Sequence, residues 1–166
     1  MVTYLSFSAF NTGLCDSYDE FEERKATHKL YRYAAENWGH HAREAWELVD
    51  FLESDRKREA ASQIAMARPD NYYGDKLRDV TATHLAGYFG TCEVMALLLE
   101  KGHSPSATDT YMKTPLWWAA TNGHAAVVEL LLERDVDLAS EDTDDRLTPL
   151  RSAAKNGHSA IVKLLL

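Results

Sequence analysis

From Thr81 onward, apolar residues recur in short blocks that a helix would align on one face. Leu116, Ala119 and Ala120 are followed by Gly123-His124, then by Val127, Val128 and Leu130-Leu131-Leu132. The same order returns in Leu150, Ala153 and Ala154, then Gly157-His158, Ile161, Val162 and Leu164-Leu165-Leu166. Spacings of three and four residues define a helical stripe. The glycine between the two apolar blocks predicts a helix end, where a left-handed residue costs least as glycine. Thr114 and Thr148 have the chemistry of N-caps, and Pro115 and Pro149 suit the first helical position. Each stretch therefore predicts a helix, a tight turn, a second helix and a polar connector.

These stretches are copies of one another. Thr114 and Thr148 stand 34 positions apart. A third copy lies upstream, in Thr81-Ala82-Thr83-His84-Leu85-Ala86-Gly87, Gly90, Val94 and Leu97-Leu98-Leu99, 33 positions before the middle one. The extra residue falls inside Asp135 to Leu147 and predicts a loop insertion, because one residue added within a helix would rotate its apolar face. Gly102 to Lys113 is polar, contains Pro105 and Asp109, and predicts a turn or short hairpin. A fixed period of this length predicts stacked units, since one helix pair cannot bury its own apolar face.

The N-terminal half lacks this period. Met1 to Phe10 alternates loosely and predicts a short strand. Ser17 with Glu20 forms a capping-box pattern that starts a short helix through Phe21. Leu30, Tyr31, Ala34, Ala35 and Trp38 share one helical face. Ala42, Ala45, Trp46, Val49 and Leu52 share a second, and Ala60, Ala61, Ile64 and Ala65 a third, ended by Pro69. Arg68 to Asp75 reads as the join. The expected organisation is a helical segment over 1–75 and repeats over 76–166, divided near 76–108, 109–141 and 142–166.

The Thr-Pro-Leu opening, the alanine pair, the glycine and the leucine-rich second helix resemble the ankyrin repeat. The resemblance covers about Arg78 to Leu166. It implies an all-α solenoid of about three ankyrin repeats preceded by the helical segment. It also implies a protein–protein interaction module without catalysis or cofactor. Trp117 and Arg151 stand where that family usually has histidine, which puts the usual histidine hydrogen bond between repeats in doubt. In such stacks the hairpin tips and the ends of the first helices form the binding surface. Here the tips are Thr110, Tyr111 and Lys113, then Thr143, Asp144 and Arg146. The helix ends are Tyr88 and Phe89, Thr121 and Asn122, and Lys155 and Asn156. Tyr88 and Phe89 either pack on the N-terminal helices or meet a partner. Trp118 takes a core leucine's place, and Trp117 is expected partly exposed, as an indole anchor for a partner.

A second resemblance lies in Tyr4-Leu5-Ser6-Phe7, in Leu30-Tyr31-Arg32-Tyr33-Ala34-Ala35-Glu36-Asn37-Trp38-Gly39-His40-His41-Ala42 and in the helices after it. The run is similar to the segment that joins nucleotide-binding and ankyrin regions in fungal NACHT–ankyrin proteins, NLR-like signalling NTPases. That implies a regulatory or sensor piece whose nucleotide-binding domain is absent from this chain. The sequence contains no G-x-x-x-x-G-K-[ST] loop.

Charge narrows the partners. The net charge is −8, from 18 Lys and Arg against 26 Asp and Glu. Phosphate binding needs clustered basic residues, so nucleic acid is not expected. Glu133, Asp135, Asp137, Glu141, Asp142, Asp144 and Asp145 surround a single Arg134 and form either a solvated connector or an acidic rim. No apolar run reaches membrane-spanning length. Two cysteines, Cys15 and Cys92, do not make a disulfide scaffold and favour the cytoplasm. His40, His41 and Glu44 lack the spacing of a metal motif, and Cys15 has no adjacent base. Ala153, Ala154, Ile161 and Leu165 predict an uncovered apolar end. A fragment, a short gene model, further ankyrin repeats or self-association through that end would each account for it.

Overall fold

The computed structural model describes residues 13, 15, 17–27, 45–66 and 79–166. The chain divides into two compact units, Met1–Arg78 and Asp79–Leu166. The possible strand over 1–10, the helix expected around Leu30 to Trp38, the join, and His40, His41 and Glu44 lie outside the described residues.

In the first unit the described helices are α1 (Tyr18–Thr27), α2 (Ala45–Glu53) and α3 (Asp55–Ala65). The hydroxyl of Ser17 accepts the Glu20 amide at 3.1 Å, as the capping pattern predicts. Helix α1 then runs six residues past Phe21, where a short helix was expected. A polar sequence gives no apolar period to mark that extension. Contacts specify it instead: Arg24 pairs with Glu20 one turn back and donates to the Gly13 carbonyl at 2.6 Å. The Gln63 amide accepts the Cys15 N–H at 2.9 Å and donates to the Cys15 carbonyl at 3.4 Å, which straps that strand of backbone to α3. Val49, Phe51, Leu52, Ala60 and Ala61 are buried where α2 meets α3.

The second unit is three helix pairs: α4 (Ala82–Phe89) with α5 (Cys92–Glu100), α6 (Pro115–Asn122) with α7 (Ala125–Leu132), and α8 (Pro149–Lys155) with α9 (Ser159–Leu164). The first helices pack in a row, α4 on α6 on α8, and the second helices in another, α5 on α7 on α9. Thr81, Thr114 and Thr148 each accept the amide of the third residue of the helix they cap. Such a cap contributes about 1 kcal/mol. Leu85, Leu98, Leu116, Leu131 and Ile161 fill the space between pairs and are almost wholly excluded from water.

Small residues set how closely the first helices approach. A side chain on Gly87 would meet the Pro115 carbonyl at 2.6 Å, so α4 and α6 touch through backbone there. No strand occurs among the described residues. The connectors are closed turns. The Asp109 amide donates to the Lys113 carbonyl at 3.0 Å, and the Asp142 amide to the Leu147 carbonyl at 3.2 Å. These bonds are equivalent, but the second loop contains one residue more. The insertion therefore sits at the tip of the second connector, between Asp142 and Leu147, where it disturbs neither helix.

Candidate protein-interaction surface

Each connector tip is built around a buried aspartate. Asp109 accepts the amides of Tyr111 at 2.9 Å and Lys113 at 3.0 Å through one oxygen. Its other oxygen accepts the Trp118 indole at 3.0 Å. Asp142 accepts the amides of Asp144 and Asp145 at 2.9 and 2.8 Å. A buried carboxylate is tolerated only when it is hydrogen-bonded, and here the bonds fix the loop. The two tips also hold each other, through the Thr143 amide to the Tyr111 carbonyl at 3.0 Å.

Lys113 and Trp117, expected to face outward, are instead buried, at 4% and 8% exposure. The Lys113 ammonium sits 4.7 Å from the Trp117 ring centre, 5.0 Å from Tyr111 and 5.4 Å from Trp118. It also reaches the Asp144 carboxylate of the next tip at 2.8 Å. Aromatic faces and a carboxylate together replace the water that the charge loses. Neighbouring tips are thus joined by a cation with most of its shell supplied from within the chain.

The bond between repeats put in doubt at Trp117 is present in another form. His84 Nδ1 accepts the Thr81 amide at 3.0 Å, so its Nε2 carries the proton and donates to the Lys113 carbonyl at 3.0 Å. Trp117 Nε1 donates to the Leu147 carbonyl, the equivalent atom one unit on, at 3.1 Å. An indole N–H reaches where an imidazole N–H would. Arg151, at the third position, donates to its own unit's Arg146 carbonyl at 3.4 Å.

The helix ends are similarly engaged. The Tyr88 ring packs edge-on against Phe89 at 4.9 Å and Trp118 of the next unit at 5.5 Å. Its carbonyl accepts the His124 Nε2 proton at 2.9 Å. The Thr121 hydroxyl meets that of Ser152 at 2.7 Å, and the Thr121 carbonyl accepts from Asn156 and His158. Asn122 donates back to Trp118, and Lys155 pairs with Asp145 at 3.1 Å. Several candidates thus make contacts that stack the units.

The acidic connector is engaged as well. Asp142 caps its turn, Asp137 accepts the Ala139 amide, Glu141 faces Arg146 at 3.4 Å, and Asp144 and Asp145 pair with lysines. Thr110, Met112, Thr143 and Arg146 project from the tips, with Met112 47% exposed. Met112 was not singled out by sequence. Its signal is positional, two residues before a capping threonine, where Asp79 and Arg146 recur. All three have φ between 53° and 60°.

Burial pushes the Cys92 thiol up, and Glu93, Glu129 and Glu133 act in the same direction, which disfavours a thiolate. Among the described residues no cluster of three or more His, Cys, Asp or Glu side chains is placed to hold a metal. Nor is any described helix long and apolar enough to cross a membrane.

Helix pairs, threonine caps and cross-unit bonds at this period define a helical-repeat protein. A family model described as ankyrin repeats (3 copies) matches residues 31–142 and again 83–166. The chain belongs to the ankyrin-repeat family and is a protein-interaction module; repeats of this family are typically non-catalytic. No curated protein matches the chain.

Proposed function

We propose that the chain binds another protein through its connector tips and carries out no catalysis. One observation supports this most directly. Thr110, Met112, Thr143 and Arg146 are exposed on loops whose backbones are held by Asp109 and Asp142 and by the Lys113–Asp144 link. Side chains presented on rigid loops bind with little ordering cost. Tyr111 and the half-buried Tyr88 border the same region as aromatic contacts. Among the described residues Cys15 and Cys92 form no disulfide, which fits action in the cytoplasm. A photo-crosslinking residue placed at 112 or 146, in cells making the protein, should capture a common protein. The same residue placed at Glu129, exposed on α7, should not. Capture from 129 alone would refute the tips as the binding surface.

The run from Tyr33 to His41 supports a second reading, a regulatory or sensor piece of an NLR-like NTPase. Binding to a separately supplied NACHT domain, with no ATP binding by the chain alone, is the outcome it requires.

A further inference from the structure

Among the described residues, three other than glycine have a positive φ, and all three hold one place in the repeat. Asp79 (φ 60°), Met112 (φ 58°) and Arg146 (φ 53°) each stand two residues before a capping threonine. A left-handed backbone costs least with glycine, so each of these side chains carries a local penalty. None recovers it by burial, since all three are exposed. Arg146 meets Glu141 at 3.4 Å in an exposed pair, which contributes little. Asp144 and Asp145 beside it are taken up by Lys113 and Lys155. Along the stack the three side chains are an acid, a thioether and a base. The first helices pack in a row, α4 on α6 on α8, and packed helices lie about 8–10 Å apart. The Thr143 amide ties the last two tips together, and the His84 ring ties the first unit to the Lys113 carbonyl, next to Met112. Asp79, Met112 and Arg146 therefore form a ridge of carboxylate, apolar and guanidinium points, each about 8–10 Å from the next.

We infer that this ridge receives a polyproline-II segment of a partner protein, one with a basic, an apolar and an acidic side chain at every third position. The inference rests on the tips being the binding surface and names what they bind. Polyproline II has three residues per turn and rises about 3.1 Å per residue, so every third side chain returns to one face after about 9 Å. That repeat matches the spacing of the units. A strand would turn positions three apart to opposite faces. A helix would bring them within about 4.5 Å along its axis, too close to reach successive tips. The base meets Asp79, the acid meets Arg146, and the apolar side chain meets the adaptable thioether of Met112. Tyr111, half-buried beside Met112, adds aromatic surface of the kind on which Pro-rich segments dock.

Three fluorescent peptides, capped at both ends to remove terminal charge, test this against the full chain. They are Lys-Pro-Pro-Leu-Pro-Pro-Glu and its relatives with lysine at both ends or glutamate at both ends. Anisotropy is read at about 0.15 M salt, where charges more than about 8 Å apart are screened. The mixed peptide should bind about threefold or more tighter than either relative. Asp79→Lys should move the preference to the peptide with two glutamates, and Arg146→Glu to the peptide with two lysines. Met112→Gly should weaken the mixed peptide about tenfold while raising the melting temperature, a loss of binding that unfolding does not explain. No binding of the mixed peptide up to about 1 mM, or a preference that neither charge reversal moves, would overturn the assignment. Crosslinking of a common protein from 112 or 146 alongside that result would keep the tips as the binding surface and remove only the chemistry given to the partner.

Discussion

Trp117 Nε1 donates to the Leu147 carbonyl across 3.1 Å, the bond that His84 Nε2 makes to the Lys113 carbonyl one unit earlier. Two different side chains therefore perform one task at equivalent places. Trp117→Phe keeps a ring but removes the donor, leaving a carbonyl unpaired at a cost of about 1–3 kcal/mol. Trp117→His should be less harmful although smaller, because the imidazole at position 84 reaches the equivalent carbonyl one unit earlier. Urea denaturation ranks the two, and a phenylalanine variant more stable than the histidine one would refute the shared role.

Lys113 couples two tips, so its effect should be cooperative with Asp144. Lys113→Met leaves the carboxylate without its ion pair and the aromatic faces without their cation. A loss of about 1–3 kcal/mol is expected, less than for a fully buried pair because Asp144 is partly exposed. A double-mutant cycle with Asp144→Asn should return a coupling of about 1 kcal/mol. Additive losses would mean that the contact contributes nothing.

Met112 is a non-glycine residue at φ 58° with its side chain nearly half exposed. Met112→Gly removes the left-handed penalty and should stabilise the fold by about 0.5–1 kcal/mol, net of the glycine's greater freedom when unfolded. Met112→Val should destabilise it, since branching at Cβ worsens the same conformation. A thermal melt decides both signs.

Acid should weaken the stack through His124. Burial lowers its pKa below the ordinary 6.5; the hydrogen bond to Tyr88 opposes this and the nearby His158 adds to it. The folded state therefore prefers the neutral ring. The stabilisation is fully present above about pH 6.5 and is lost as pH falls from there through the lower folded value. Melting temperatures recorded from pH 7.5 to 5 should fall, and His124→Asn should flatten that slope. An unchanged slope in the variant would assign the acid sensitivity elsewhere.

Much of the repeat architecture is legible locally. Thr81, Thr114 and Thr148 cap helices because hydroxyls accept amides three residues on, whatever lies beyond. Gly90 and Gly123 end helices because their backbones turn left-handed. The extent of α1 was not legible, because Arg24 is positioned by Gly13 and Glu20 rather than by an apolar period. The outward placement expected for Lys113 fails for a related reason: a lysine in a polar loop reads as solvated until Tyr111, Trp117 and Trp118 are seen around it.

By itself the amino-acid order determined the caps and the helix ends, because these depend on neighbours within a few residues, and the period, because the same residues return 33 and 34 positions on. The tertiary structure decided which polar groups remain for a partner. Asp109, Asp142, Lys113 and Trp117 are drawn inward by atoms 2 to 31 positions away. Burial of a polar group is settled by who meets it in space, and that meeting exists only once the helix pairs are stacked.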